Sequence, residues 1–289
     1  MRYRFVFGIG RSGTTLLGRL LALTSSSTRF VSELCPGIAD RIPSPVFMVE
    51  PRDVVTATRV RDAIVELSAG KSPFSEDHAY RIERNDPNAE ILLVKDIHSL
   101  LAYREIVSGL EDWRAVVILR ETSRTLDSYF FGNSPKDRCY LVQEYKFIAN
   151  YLTGGSNDTL MDRALGRLRP AVAKYYRRPH MFTTELFRQA AATEFICQFL
   201  EIWASEDDRV TRIRFEDLCR DPLAETLRLL DFLELEYEDE TLVEIQSMTS
   251  GNSGGYYATD KNSRSILRQP YKYLGYRELN RLRTFLGHA

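Results

Sequence analysis

The sequence predicts an α/β fold, a single three-layer domain over residues 1–289 built around a central parallel sheet. Two observations favour this fold class. Short apolar runs that suit buried strands alternate with stretches of helical periodicity through most of the chain. Polar or cationic side chains follow several of these runs, and ligands of parallel sheets bind at the carboxyl ends of the strands.

The first strand and the turn after it carry the most specific pattern in the chain. Residues 5–9 are apolar enough for a buried strand, and leucines recur at helical spacing over 16–23. Gly8 and Gly13 stand where the two glycines of the motif G-x-x-x-x-G-K-[ST] stand. The backbone N–H groups of such a loop form a concave anion site with the N-terminus of the next helix. The pattern therefore predicts a P-loop-like nucleotide site.

This loop differs from a nucleoside-triphosphate loop at its cation. A triphosphate loop has Lys after the second glycine, to reach the β- and γ-phosphates, and then Ser or Thr to hold Mg²⁺. Here Thr14 and Thr15 occupy those positions, and the cation comes earlier, at Arg11. Two hydroxyl groups can hold a 5′-phosphate, and a guanidinium can clamp an adjacent oxyanion. Neither arrangement favours a triphosphate with its metal.

The other elements follow from periodicity and from turn residues. Buried or alternating apolar residues predict strands at residues 29–33, 91–94, 115–119 and 209–215. Helical spacing predicts one helix that ends near residue 107 and another that begins at a cap on Thr122 or Ser123. It also predicts helices at residues 54–67, 139–152, 159–176 with a break at Pro170, 184–206, 223–233, 240–248 and 276–286. Proline, glycine and polar residues predict irregular or surface segments at residues 35–53, 71–90 and 249–262.

Composition limits the possible partners. The net charge of −1 implies no general attraction to nucleic acid or to an anionic membrane. The four cysteines are far apart and form no C-x-x-C pair, which disfavours a zinc site and fits buried thiols in a reducing compartment. No signal peptide precedes the first strand, and no apolar run approaches the roughly 18 residues of a membrane span. We expect a cytoplasmic protein with neither nucleic acid nor membrane as partner; its oligomeric state is left open.

One hexapeptide supports a family assignment. The segment Arg11-Ser12-Gly13-Thr14-Thr15-Leu16 resembles the 5′-phosphosulfate loop [KR]-S-G-T-T-[LW] of the sulfotransferases that use 3′-phosphoadenosine 5′-phosphosulfate (PAPS), and matches it at every position. The resemblance implies that these six residues bind the co-substrate. It also implies an enzyme that moves a sulfuryl group to a hydroxyl, in preference to an amine, of a small-molecule or sugar acceptor. The products would be the sulfated acceptor and adenosine 3′,5′-bisphosphate (PAP), and no metal would be needed.

Two further segments resemble the family's contacts to the 3′-phosphate. Arg120 ends a predicted strand and Ser128 lies eight residues later, as in the signature R-x-x-x-x-x-x-x-S, although the usual proline after the Arg is Thr122 here. Near the C-terminus, residues 260–264, with Tyr271-Lys272-Tyr273-Leu274 after them, lie where the family closes a basic loop over the same phosphate, and Ser263 and Arg264 are the candidate ligands. The second match is loose, because the R-K-G sequence of the cytosolic branch is missing.

Sulfuryl transfer requires a base for the acceptor proton and positive charge for the departing phosphate oxygen. Arg11 and Lys95 are the candidate cations. Glu33 follows the first helix and a short strand, as does the acid of the tyrosylprotein branch and of some bacterial branches. His98 is one residue late relative to the K-T-H of the cytosolic branch, and a one-residue slip in an extended segment turns a side chain to the opposite face. We favour Glu33 as the base, with His98 as the alternative.

Two other function classes remain open on the sequence. The first is a nucleotide kinase or another phosphate-loop NTPase, which Thr14 in place of the loop lysine disfavours; apart from Asp96, no apolar strand ends in a clear Mg²⁺-binding Asp. The second is a nucleotide-binding protein without catalytic activity. Stabilisation by PAP without metal, as opposed to stabilisation by Mg²⁺-ATP, separates the sulfotransferase from the NTPase.

Overall fold

The structure is a computed structural model that describes residues 1–41, 53–75, 77, 81–132, 159–177, 184–251 and 262–287. The chain forms two compact units. The first contains Met1–Gly8, Gly13–Ile118 and Arg209–Arg268, and the second contains Ile9–Ser12, Leu119–Asp208 and Gln269–Ala289. The single domain expected over residues 1–289 stays a prediction.

A six-stranded sheet confirms the predicted α/β class. Its strands are β1 Arg2–Gly8, β2 Thr28–Ser32, β3 Ile82–Arg84, β4 Ile91–Asp96, β5 Trp113–Leu119 and β6 Val210–Arg214. They lie in the order β3-β2-β4-β1-β5-β6. β1 pairs in parallel with β4 and β5, and β2 pairs in parallel with β4. The sheet is therefore mostly parallel, and the central strands are buried as their apolar sequences require.

Strand β3 was not predicted, because it lies within the segment 71–90 that was interpreted as a surface excursion. It is short, polar in part and antiparallel to β2, so no apolar run or alternation marks it in the sequence. Its last residue is held by the backbone, since Arg84 Nη1 donates to the carbonyl oxygens of Ala22 at 2.7 Å and Thr24 at 2.8 Å.

The helices agree with the sequence pattern at most positions. They are α1 Thr14–Leu21, α2 Leu34–Gly37, α3 Val54–Ser68, α4 Tyr103–Val107, α5 Thr122–Gly132, α6 Thr159–Arg167, α7 Pro170–Arg177, α8 Glu185–Glu206, α9 Phe215–Arg220, α10 Pro222–Leu233, α11 Asp239–Ser250, α12 Ser263–Arg268 and α13 Tyr276–Leu286. The break predicted at Pro170 separates α6 from α7, because proline cannot continue a helix interior. No helix within the described ranges is both long and apolar enough to cross a membrane.

Several predicted boundaries were wrong. Thr122 and Ser123 lie inside the first turn of α5 instead of capping it. The segment 35–53, expected to be irregular, contains most of α2 and a 3₁₀ turn at Ala39–Arg41. The short helices α9 and α12 were not predicted, since each has too few residues to show a period. The helix predicted over 139–152 lies outside the described residues.

Each unit has its own buried core. In the first unit, β1 and β5 pack with α1 and α10 through residues such as Val6, Leu17 and Leu229. In the second unit, the predicted apolar stripe of α8 is buried, including Phe195 and Trp203. These faces confirm the helical periodicity from which they were predicted.

The charged side chain of Arg4 is fully buried in the first unit. Its Nη1 lies 2.8 Å from Asp112 Oδ1, and its Nη2 lies 3.3 Å from Glu234 Oε2. Burial lowers the pKa of Arg4, while the hydrogen bond and the charge of Asp112 act in the opposite direction. The Arg4 guanidinium thus connects β1 to the loop before β5, through Asp112, and to the loop after α10, through Glu234.

Replacing Arg4 with Ala should lower the free energy of unfolding by about 2–4 kcal/mol, because it removes a buried cation and leaves its partners without it. Urea unfolding measures the change. Arg228→Ala is the matched control, since its ion pair with Glu225 is solvent-exposed and should contribute less than about 1 kcal/mol. Equal losses in the two variants would contradict this account of Arg4.

Candidate active site

The turn after β1 adopts the backbone of an anion-binding loop. Arg11 and Gly13 have positive φ angles of 70° and 102°. Gly13 is the N-cap of α1 and provides no side-chain acceptor for the N–H groups of the first helical turn. Those N–H groups and the positive end of the helix favour an anion at this position.

Gly13 is required at this position for two reasons. Its φ angle lies in the left-handed region that L side chains rarely adopt, and a Cβ atom there would overlap the ring of Phe215. Phe215 opens α9, in a segment that showed no helical period in the sequence. The structure thus explains the second glycine of the motif by conformation and by packing.

Ser12 carries a clear sign of a ligand. Its side chain is fully buried, and its hydroxyl oxygen has no hydrogen-bond partner among the described residues. Its backbone N–H donates to the carbonyl oxygen of Ile9 at 3.1 Å, which closes the turn. A buried hydroxyl loses its hydrogen bonds with water, and without a new partner this loss of free energy is not offset. Ser12 therefore fits a site that is completed by a polar ligand. Beside it in sequence, Thr14 is buried, while Thr15 and Leu16 are half-buried.

The second unit brings together three predicted binding residues. Arg11 Nε and Nη2 lie 3.4 Å and 3.3 Å from Ser128 Oγ on α5. Arg120 Nη1 donates to the carbonyl oxygen of Arg11 at 2.8 Å. All three side chains are half-buried, so they remain within reach of solvent. The Arg11 guanidinium next to the Ser128 hydroxyl, with Arg120 bound to the Arg11 backbone, suits a phosphate or sulfate oxyanion.

The first unit brings together Glu33, Lys95 and His98. Lys95 is almost fully buried, and its Nζ forms an ion pair with Glu33 Oε1. His98 Nε2 lies 3.5 Å from the other carboxylate oxygen, Glu33 Oε2. The two candidate bases therefore face each other, and the choice between them stays a prediction.

The contact between His98 and Glu33 corrects one argument from the sequence. A shift of one residue was expected to turn His98 away, on the assumption that the strand continues to that position. Strand β4 ends at Asp96, so side chains no longer alternate between faces beyond it. Glu33 also leaves the extended conformation, with a φ angle of 57°, directly after β2.

Asp96 is a buried carboxylate that holds neighbouring groups of this cluster by hydrogen bonds. It accepts hydrogen bonds from Cys35 Sγ at 3.0 Å and from the His98 backbone N–H at 3.4 Å. Burial raises the pKa of the Cys35 thiol well above its usual range, and the charge of Asp96 acts in the same direction. No motif in the sequence indicates this contact, because Cys35 and Asp96 lie 61 residues apart.

The same cluster is the place where the described residues could hold a metal. Glu33, Asp96 and His98 each offer one ligand atom, and these atoms lie within 4.8 Å of one another. Two carboxylates and an imidazole suit a divalent cation. The ammonium group of Lys95 and the thiol of Cys35 contact the carboxylate groups, however, so a cation would have to compete with both.

Ser263 and Arg264 open α12 in the first unit. Ser263 is buried, while Arg264 is exposed and its Nε donates to the carbonyl oxygen of Arg220 at 3.2 Å. Their binding of a 3′-phosphate stays a prediction.

Comparison with known proteins gives a family match. A family model described as "Sulfotransferase domain" matches residues 3–254. A comparison with curated proteins finds no match.

Three similar solved structures share low identity with this chain. The sulfotransferase domain from the curacin biosynthetic pathway is 17% identical, with 99% of this chain and 97% of that chain covered and a TM-score of 0.46. A sulfotransferase from Alicyclobacillus acidocaldarius is 13% identical, with coverages of 92% and 95% and a TM-score of 0.39. The mouse sulfotransferase SULT7A1 complexed with PAP is 9% identical, with coverages of 98% and 82% and a TM-score of 0.44. At these values the likenesses say nothing about the ligands or the reaction of this chain.

The Cys35 thiol should resist alkylation in the folded protein. Since burial and Asp96 raise its pKa, the thiol stays neutral at pH 8, and iodoacetamide reacts with the thiolate. Mass spectrometry after native labelling should find Cys35 unmodified and, after unfolding in urea, fully modified. Cys197, which is only half-buried, serves as the internal control. Rapid native labelling of Cys35 at pH 8 would contradict this environment.

Proposed function

Because the chain belongs to the sulfotransferase family, whose model matches residues 3–254, we propose that it transfers a sulfuryl group from PAPS to a hydroxyl of a small-molecule or carbohydrate acceptor. PAP is released. The observation that carries this proposal is the buried Ser12 hydroxyl, which has no hydrogen-bond partner in the part of the chain that the structure describes. Ser12 belongs to a loop that matches the 5′-phosphosulfate loop at every position. An oxyanion at this position would satisfy the hydroxyl.

Nucleotide binding is assigned to the loop Arg11–Leu16 and to Arg120 and Ser128, which contact Arg11 within the second unit. The N–H groups at the start of α1 and the hydroxyls of Thr14 and Thr15 would hold the 5′-phosphate. Arg120 and Ser128 would hold the 3′-phosphate, and their contacts with Arg11 support a common role for the three residues. Ser263 and Arg264 are proposed as further ligands of that phosphate.

Chemistry is assigned to the cluster at the ends of β2 and β4. The acceptor oxygen would form a bond to sulfur, the bond from sulfur to the 5′-phosphate oxygen would break, and the acceptor proton would move to Glu33. His98 faces the same carboxylate and is the alternative proton acceptor. Lys95 and Arg11 are proposed to stabilise the negative charge that develops on the departing oxygen, so no step requires a metal ion.

Two observations bear on the setting of the reaction. The four cysteines are far apart in the sequence, and Cys35 and Cys219 are buried, as expected for thiols in a reducing, cytoplasmic compartment. The net charge of −1 supports a small acceptor in preference to nucleic acid.

Replacing Glu33 with Gln should lower turnover by about a hundredfold or more, because the amide cannot take the acceptor proton. PAP affinity should be unchanged, since Glu33 is not assigned to nucleotide binding. Turnover is measured with PAPS and a panel of phenols, alcohols and sugars, and affinity is measured by calorimetry. Glu225→Gln is the control, because that carboxylate lies in an exposed ion pair. A loss smaller than about tenfold would assign the base to His98.

PAP should raise the midpoint of thermal unfolding by several degrees in the presence of EDTA, because a ligand that binds only the folded state stabilises it. Mg²⁺-ATP at the same concentration should have a smaller effect, since Thr14 replaces the lysine of a triphosphate loop. Differential scanning fluorimetry measures both. A shift with Mg²⁺-ATP alone would favour an NTPase, and PAP binding without transfer to any acceptor would favour a binding protein.

A further inference from the structure

One segment near the C-terminus is held by a single carboxylate. We call residues Tyr271–Leu274 the strap. The backbone N–H groups of Lys272, Tyr273 and Leu274 donate to Asp127 Oδ1 at 3.0, 2.7 and 2.9 Å. The N–H of Lys272 also lies 3.0 Å from Oδ2. Three consecutive N–H groups thus converge on one side chain of α5.

Side chains of the strap contact α5 at three further positions. The Arg124 guanidinium lies 4.1 Å from the centre of the Tyr271 ring, and its Nη1 donates to the carbonyl oxygen of Gln269 at 2.6 Å. The Tyr271 hydroxyl lies 3.0 Å from Ser123 Oγ. The rings of Phe130 and Tyr273 stack with centroids 4.8 Å apart. The strap therefore follows α5 over more than one helical turn.

The carboxylate of Asp127 is well suited to hold this segment. It is almost fully buried, so its hydrogen bonds are shielded from water. Hydrogen bonds to a charged acceptor are about twice as strong as neutral ones.

The position of Asp127 in the sequence connects the strap to the proposed nucleotide site. Asp127 immediately precedes Ser128, the proposed 3′-phosphate ligand that also contacts Arg11. Losing the bonds of Asp127 would release the strap from α5 at the residue next to this hydroxyl. The strap also brings one cation, Lys272, into this part of the chain.

We propose that Asp127 is a positioning residue that ties the strap to α5 and thereby sets the affinity of the site for a nucleotide 3′-phosphate. The proposal rests on the proposed function. Asp127 acts through Ser128 and through the backbone of the strap, and it does not contact the nucleotide itself. If Asp127 only stabilised the fold, its loss would weaken the binding of all nucleotides equally. In the proposed role, its loss weakens the binding of nucleotides that carry a 3′-phosphate and leaves the binding of others unchanged.

The test compares PAP with AMP, which lacks the 3′-phosphate, in calorimetric titrations of the full chain. Asp127→Ala should raise the Kd of PAP about tenfold or more and change the Kd of AMP by less than about twofold. Asp127→Asn should have an intermediate effect, because its Oδ1 still accepts the three N–H groups while the charge is lost. Hydrogen exchange of Lys272–Leu274 should be faster in Asp127→Ala. Asp53→Ala, which removes a carboxylate that caps α3 in the other unit, should change none of these values.

Each outcome decides the proposal. Equal weakening of PAP and AMP, or unchanged PAP affinity in Asp127→Ala with the wild-type chain binding PAP, would overturn the role of Asp127 and leave the proposed function standing. Absence of PAP binding by the wild-type chain, or equal affinity for PAP and AMP, would overturn both. If Asp127→Ala fails to fold, the PAP-to-AMP ratio of Asp127→Asn gives the answer, and an unchanged ratio would overturn the proposal.

Discussion

Parallel pairing of β1 with β4, and of β4 with β2, determines where this chain can place polar chemistry. The register aligns Phe7 with Asp96 and Ser32 with Lys95. The three strands therefore end at the same edge of the sheet, and the chain leaves the hydrophobic interior there each time. Ligands of a mostly parallel sheet bind at this edge, where the buried strands end and loops begin.

The charges at this edge depend on one another. Lys95 lies within β4 and is buried, and a buried ammonium group needs a counter-charge. Glu33 provides it from the residue after β2, while its backbone N–H donates to the Lys95 carbonyl oxygen at 2.8 Å. The carboxylate position is thus determined by the sheet as well as by the ion pair. Its second oxygen is left to face His98.

Much of the fold could be predicted from the sequence, and the failures have physical causes. The parallel strands and α3, α8 and α13 were confirmed because long apolar runs and helical periods dominate them. β3 and α12 have too few residues for a period, and their positions depend on tertiary contacts such as those of Arg84. The sequence also predicted the family, which the match to residues 3–254 confirms, whereas the binding role of the loop stays a prediction. Two features could not be predicted, namely the contact of His98 with Glu33 and the binding of three N–H groups by Asp127. Both join residues that are far apart in the sequence, so no local pattern indicates them.

The left-handed backbone of Arg11 has a consequence for how this protein would evolve. A side chain with a Cβ atom in that conformation costs about 1–3 kcal/mol, and glycine or asparagine would relieve much of it. Selection for heat resistance alone would therefore favour glycine or asparagine at position 11, and the guanidinium that contacts Ser128 would be lost. If thermophilic descendants keep arginine at this strained position, then selection for ligand binding has outweighed selection for stability.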